Sequence, residues 1–269
     1  MTLSLSDRLR DRIRTTGGVL SVGLNPDPSR LPADCREYDY PRRAFNRRII
    51  DATSDHAAAY TASLAAYETP DGWTALEETL AYAQAQGVPV IFDGKRAEVG
   101  AAARQHATLL DSADALTVSP YLGRESAAAL SRPGRGVFVV CRTPNSGASD
   151  LQDLELADGE TLAERAADLA GEWAEEAAGD VGLLVGGSAD DVEALRERAP
   201  DLPFLVVGGA RNDPEVAEHA TADGVGLVNV SREVLYAGET AGRGREPDAD
   251  AYAAAARQAA GRLKRQLRR

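Results

Sequence analysis

Lysine is nearly missing from this chain. Its 269 residues contain two, Lys95 and Lys264, although Lys and Arg together number 30. Arginine therefore carries almost all of the positive charge, and against 42 acidic residues it leaves a formal net charge of −12. A surface of that sign repels phosphate backbones and anionic bilayers, so neither nucleic acid nor membrane is expected as a partner. Acid excess with lost lysine points to a halophilic surface, hydrated in brine, where screening shortens repulsion to ~3 Å at about 1 M salt. Aromatics make up only 5 % of residues, so aliphatic side chains and alanine must fill the core within an apolar fraction of 43 %. Cysteine is limited to Cys35 and Cys141, with no CxxC, too few for a disulfide framework. The N-terminal stretch MTLSLSDRLRDRIRTTGG lacks the long apolar segment of a signal peptide. No apolar run reaches the ~18 residues of a membrane span. A soluble, cytoplasmic protein is expected. His56, His106 and His219 show no metal-ligand spacing and read as structural or surface residues.

What the chain does have is a repeated theme of short apolar runs. GVLSVGL (18–24), AAAYTASL (57–64), VPVIFD (88–93), ALTVS (115–119), GVFVVC (136–141), VGLLVG (181–186), PFLVVG (203–208) and GVGLVNV (224–230) are each of strand length. Most are continuous rather than alternating, as strands covered on both faces of a parallel sheet should be. Helical segments lie between them. SADDVEALRERAP, for example, starts on a capping serine and stops at a proline. Eight strand–helix repeats with right-handed crossovers close into an α/β fold, a (β/α)8 TIM barrel. A doubly wound open sheet is the rival, but no GxGxxG follows the first strand. No composition break divides the chain, so residues 1–269 are expected to form a single barrel domain, with a C-terminal helix over about 248–268.

In such a barrel the site lies at the C-terminal ends of the strands. There the sequence places Asn25 after the first strand, Thr61 on the second, Asp93 and Lys95 on the third, and Ser119 after the fourth. Arg142, Thr143 and Asn145 follow the fifth, Gly209 and Arg211 the seventh, and Arg232 the eighth. Glycines after strands six and seven, with Arg232 opening a helix after strand eight, suit a phosphate cradle of backbone N–H groups. Residues two apart on a strand share a face, so Asp93 and Lys95 should point into the site together as an acid/base pair. Glu98, from the start of the next helix, could join them. That a lysine-poor chain retains one here raises its weight as a functional residue.

At this point a resemblance is evident. SVGLNPDPSRLP, FNRRIIDAT, PDGWTALEETLAYA, VIFDGKRAEVG, TVSPYLGRES, GVFVVCRTPNSGASDLQDLELADGE and GLVNVSREVLYAGE resemble, in order, segments of the orotidine 5′-phosphate decarboxylase family in its longer bacterial and haloarchaeal subgroup. The resemblance spans roughly residues 5–240. It implies a homodimeric barrel that needs no cofactor and converts orotidine 5′-phosphate, a phosphorylated nucleotide, to UMP in pyrimidine synthesis. It gives Asp93 the task of crowding the substrate carboxylate and Lys95 that of protonating the carbon left when CO2 departs. Phosphate would be held around Gly209, Arg211 and Arg232, and the Arg142–Gly147 loop would close over the base.

The departures from the family pattern fall on site positions. The family's first strand ends in an aspartate that binds ribose, where this chain has Asn25. A second-strand lysine is replaced by Thr61. The aspartate closing Asp-x-Lys-x-x-Asp, which reaches the partner subunit, is Glu98. The threonine that follows it is Ala102, and the glycine- and glutamine-rich loop after strand seven reads GGARNDP. Loss of one charge-assisted contact costs on the order of 2–4 kcal/mol of transition-state binding. Three readings therefore stand open: an impaired decarboxylase, a diverged lyase or isomerase acting on another phosphorylated small molecule, or a non-catalytic phosphate-ligand-binding protein. Related barrels hold Mg2+ with the corresponding aspartate, which leaves Asp93 with Glu98 as an open alternative for metal.

Overall fold

The computed structural model describes residues 3–208, 214–222, 224–240 and 248–267. In chain order its elements begin with α1 (Leu5–Thr16), β1 (Leu20–Gly23), α2 (Ala33–Arg36), α3 (Pro41–Thr53), β2 (Ala59–Ser63) and α4 (Gly72–Ala85). Next come β3 (Val90–Arg96), α5 (Gly100–His106), β4 (Ala115–Val118), α6 (Arg124–Leu130), β5 (Gly136–Val140) and α7 (Leu162–Glu176). The chain continues through β6 (Asp180–Val185), α8 (Ala189–Arg198), β7 (Phe204–Val206), α9 (Pro214–Thr221), β8 (Gly226–Val230), α10 (Arg232–Leu235) and α11 (Ala249–Gln266). The strands pair in sequence order, all parallel, and β8 closes on β1. This is the eight-stranded (β/α)8 barrel expected from the spacing of the apolar runs. No described helix is long and apolar enough to cross a membrane.

Local chemistry sets the helix starts. Ser4 caps α1, its hydroxyl accepting from the Asp7 N–H, and Gly17 ends that helix in the left-handed region at φ 70°. Thr161 with Glu164, and Ser188 with Asp191, form reciprocal capping boxes on α7 and α8. Ser188 is the residue that the sequence marks as a cap. Asp248 caps α11 through the Ala251 N–H.

Two apolar layers follow from the alternation of strand side chains. Inward-facing Ala59, Ile91, Ala115, Phe138, Leu184, Leu205 and Leu227 fill the lower barrel. Leu5 and Leu9 of α1 plug its N-terminal mouth, each with 1 % or less exposed. Burying each such leucine stabilises the fold by roughly 1.5–3 kcal/mol. The plug is also tied by polar bonds. Asp180 accepts from the Leu5 N–H at 2.8 Å and from the Ser6 hydroxyl, and Arg8 reaches buried Asp114 at 2.7 Å. With this end stoppered, the barrel interior is closed from below by α1. The outward faces pack against the helices in one continuous core, where Tyr60, Tyr67 and Phe45 supply much of the scarce aromatic bulk.

One strand departs from the expectation. The third apolar run ends at Asp93, yet β3 continues through Gly94, Lys95 and Arg96. Phe92 pairs with Leu116 and Arg96 with Val118, so three residues of β3 lie against the single residue Thr117 of β4. A bulge of this kind re-aims side chains at the rim of a barrel.

Candidate active site

The rim is built from the inward residues one level above the apolar plug. The strand registers place Thr61 beside Ile91, Ser63 beside Asp93, and Ser21 beside Asn229. Asp93 and Lys95 form the centre. The Lys95 ammonium lies 2.7 Å from both carboxylate oxygens of Asp93. Thr117, fully buried, donates its hydroxyl to Asp93 Oδ1 at 2.7 Å and accepts the Lys95 backbone N–H at 2.8 Å. The expected pairing of Asp93 with Lys95 is present, but simple strand alternation is not its cause. Lys95 has φ 45°, the only positive value among described non-glycine residues. That conformation costs about 1–2 kcal/mol for a side-chain-bearing residue. Gly94 makes room for it, since a Cβ there would come within 2.9 Å of the Phe92 ring. The Lys95 side chain is half exposed, so the ion pair itself adds no more than about 1 kcal/mol to stability. The strain is kept for geometry.

The floor beside this pair is neutral. Thr61 Oγ1 donates to Asn229 Oδ1 at 2.6 Å, and Thr61 is only 2 % exposed. Asn25 Oδ1 accepts the Ser63 N–H at 2.6 Å, which stitches the end of the first strand to the end of β2. Sequence reasoning did not find Thr117 or Asn229. Both lie inside apolar runs, and only the register reveals that they face the axis beside Asp93 and Thr61.

Among the described residues, no hydrogen bond or ion pair joins the remaining candidate residues to Asp93 or Lys95. Glu98 is joined to neither Asp93 nor Lys95 by any hydrogen bond or ion pair. Its Oε2 accepts the Ala97 N–H at 3.2 Å and lies 3.0 Å from His106 Nε2. Burial acts to raise the Glu98 pKa, but the backbone N–H groups and His106 outweigh it and hold the carboxyl below its ordinary value. Ser119 caps the single turn after β4, its hydroxyl accepting the Tyr121 N–H at 3.3 Å. Arg142 is engaged by its own surroundings. It contacts Asp153 at 2.9 Å, Asp191 at 3.2 Å and the Gly186 carbonyl at 3.0 Å. Thr143 is bonded through its N–H and hydroxyl to Gln152, and Asn145 is exposed at the start of a turn. This loop with Ser188 and Asp191 lines a rim cavity of about 350 Å³. Arg232 is exposed at the first position of α10, with no ion-pair partner among the described residues. Gly209 and Arg211 lie outside the described residues. Gly208 has a steric reason of its own, because a Cβ there would meet Pro144 at 2.5 Å. Among the described residues, no three His, Cys, Asp or Glu side chains gather as a metal-ligand set.

Residues 27–246 match the orotidine 5′-phosphate decarboxylase / HUMPS family. An orotidine 5′-phosphate decarboxylase of Haloarcula marismortui is 54 % identical over 271 residues, covering 97 % of each chain. Another, from Halorubrum lacusprofundi, is 53 % identical and covers 98 % of this chain and 99 % of its own. Among solved structures, the OMP decarboxylase of Leishmania donovani superposes with a TM-score of 0.81 at 31 % identity, covering 98 % of this chain and 97 % of that one. Relatives this similar favour the decarboxylase over the diverged lyase and the binding protein.

Proposed function

The chain belongs to the orotidine 5′-phosphate decarboxylase family, and from that premise we propose how its rim converts orotidine 5′-phosphate to UMP. The enzyme is a decarboxylase, a carbon–carbon lyase, of pyrimidine synthesis. The observation that carries the assignment of roles is the Asp93–Lys95 pair, locked at 2.7 Å on a strained bulge at the open end of the barrel.

The substrate carboxylate sits against Asp93, where two like charges in a confined space raise the energy of the bound ground state. The bond between the ring carbon and the carboxyl carbon breaks, and CO2 leaves. The electron pair stays on the ring carbon, and a proton moves from Lys95 Nζ to that carbon, giving UMP. Lys95 then recovers a proton from water. The ammonium beside the developing carbanion also stabilises its charge before proton transfer. Asn25 and Thr61 meet the ribose as neutral hydrogen-bonding groups. Arg232, with Gly209 and Arg211, holds the phosphate; the exposure of Arg232 at the start of α10, beside the mouth, supports this role. Because Arg142 already has two carboxylate neighbours, its part is to shape the loop over the base rather than to supply a free charge.

The chain acts as a single domain and as a homodimer in the cytoplasm. Val99, Leu122 and the 80 % exposed Tyr121 are exposed apolar side chains beyond the ends of β3 and β4, which supports docking of the second copy there. Relatives in haloarchaea support the reading of the acidic, lysine-poor surface as an adaptation to salt.

The test is turnover of orotidine 5′-phosphate by purified protein and by Lys95→Ala. Loss of at least about a thousandfold in kcat is expected, the size of effect that removing a proton donor and its charge together produces. Undiminished turnover in Lys95→Ala would clear Lys95 of the role.

A further inference from the structure

The bulge in β3 leaves Lys95 without an ordinary ladder partner. Asp93, Gly94 and Lys95 pass opposite the single residue Thr117, and the hydroxyl of that residue takes the place of a backbone carbonyl. It accepts the Lys95 N–H at 2.8 Å. Since a backbone N–H can only donate, the hydroxyl must act there as acceptor, which leaves its one proton for Asp93 Oδ1, 2.7 Å away. The direction of both bonds is therefore fixed. Thr117 has no exposure to solvent, and its strand is paired on the other side through Phe138. A β-branched side chain on such a strand has little rotamer freedom.

We propose that Thr117 is the positioning residue of this active site. One hydroxyl fixes the backbone from which Lys95 departs and also the carboxylate that Lys95 must meet. It thereby sets the distance and angle between the group facing the substrate carboxylate and the group that delivers the proton. Thr117 touches no reacting atom; it acts through Asp93 and Lys95. The proposal rests on the assignment of those two residues to the chemistry. The competing role is space filling, which a valine of nearly the same shape would perform equally well.

Thr117→Val removes the hydroxyl and keeps the shape, whereas Thr117→Ser keeps the hydroxyl and removes a methyl group. Each variant is assayed for kcat and KM with orotidine 5′-phosphate. Each is also labelled with 15N-lysine. Because the chain has only Lys95 and Lys264, the labelled protein gives two backbone amide signals, and Lys264 in α11 serves as the internal reference. Thr117→Val should lower kcat about a hundredfold with KM held within about threefold, the effect of a displacement of roughly 1 Å on the reacting groups. Amide exchange at Lys95 should quicken by about tenfold or more as its acceptor is lost, with Lys264 unchanged. Thr117→Ser should stay within about threefold of the parent protein in both measurements. The proposal is overturned by parental kcat in Thr117→Val, by equal losses in the valine and serine variants, or by unchanged exchange at Lys95. If the valine variant does not fold, Thr117→Ala replaces it under the same criteria. Failure of the underlying assignment is separately visible. Lys95→Ala would then retain turnover, while amide exchange still decides whether Thr117 holds the backbone.

Discussion

Putting a lysine back at position 61 tests how far a neutral floor limits this enzyme. Thr61 is 2 % exposed and spends its hydroxyl on Asn229 Oδ1 at 2.6 Å. It pairs with Ile91, while Ser63, one step higher on the same face, pairs with Asp93. A lysine stem rising from position 61 along the barrel wall would therefore bring its ammonium to the level of the Asp93 carboxylate. There it would supply a second positive charge and a charged donor for the ribose. Asn25→Asp, combined with it, would keep the new charge balanced. One well-placed donor to developing charge is worth about a hundredfold in rate at the lower end, or about 2.7 kcal/mol. Thr61→Lys with Asn25→Asp is therefore expected to raise kcat/KM by about that factor. Stability should move the other way. Crowding a buried position costs typically 1–3 kcal/mol, and Asn229 loses its hydroxyl donor unless the ammonium replaces it. At ~2–4 °C per kcal/mol for a chain of this size, the melting temperature should fall by roughly 2–12 °C. The assay is loss of the substrate's ultraviolet absorbance at a temperature well below both transitions. Thr61→Val is the control: it loses the hydroxyl without gaining charge, so it should melt lower yet gain nothing in turnover. A folded double variant that binds UMP but turns over no faster than the parent would refute the argument, because the floor would then not be what limits the rate.

Two further outcomes are expected. Arg232→Ala should weaken UMP binding by roughly 10- to 150-fold, the range for a lost hydrogen bond to a charged group, while uridine affinity stays unchanged; isothermal titration calorimetry at low and high salt reads both. Burial pushes the Cys35 thiol up to about 11 and the Cys141 thiol up to about 12, so at pH 8 the thiolate fraction is on the order of 10⁻³ and 10⁻⁴. Iodoacetamide at that pH should leave both unmodified by mass spectrometry in the folded protein and modify both in denaturant, and fast labelling of the native protein would contradict the packing.

Much of the fold could be read from the chain because its strands are continuous apolar runs and helices α1, α7, α8 and α11 start on side-chain caps. The runs at 136–141 and 181–186 became β5 and β6 almost residue for residue, since burial on both faces leaves no polar interruption to blur the limits. The third strand could not be read in this way. Its last three residues are Gly94, Lys95 and Arg96, and no hydrophobic pattern marks them as strand; what holds them there is the pairing of Arg96 with Val118, the Ser119 N–H donating to the Arg96 carbonyl at 2.7 Å, and the Lys95 N–H donating to Thr117, a partner 22 residues away. The same limit applies to Glu98. Spacing alone puts it near Lys95, but the chain turns after β3, and a backbone N–H together with His106 takes its carboxylate instead.

The candidate site was legible as an Asp93–Lys95 pair but not in its construction. Asp93 and Lys95 could be singled out because a chain with only one other lysine, Lys264, keeps one beside a strand-end aspartate. The alternation rule that made them neighbours gives the right answer here for the wrong reason. On a regular strand, side chains at 93 and 95 would stand parallel, separated along the strand by about 6.6 Å at 3.3 Å per residue. In the structure the left-handed backbone at Lys95 and the bulge fold the ammonium back until it lies 2.7 Å from both oxygens. Closing that gap costs about 1–2 kcal/mol of backbone strain, more than a half-exposed ion pair returns at about 1 kcal/mol or less. The balance must come from elsewhere, and the buried hydroxyl of Thr117 is positioned to supply it, with two hydrogen bonds of which one is to a charged group. A contact that is unfavourable by itself and persists only through a buried neighbour is better explained by what it does to a substrate than by what it does for the fold.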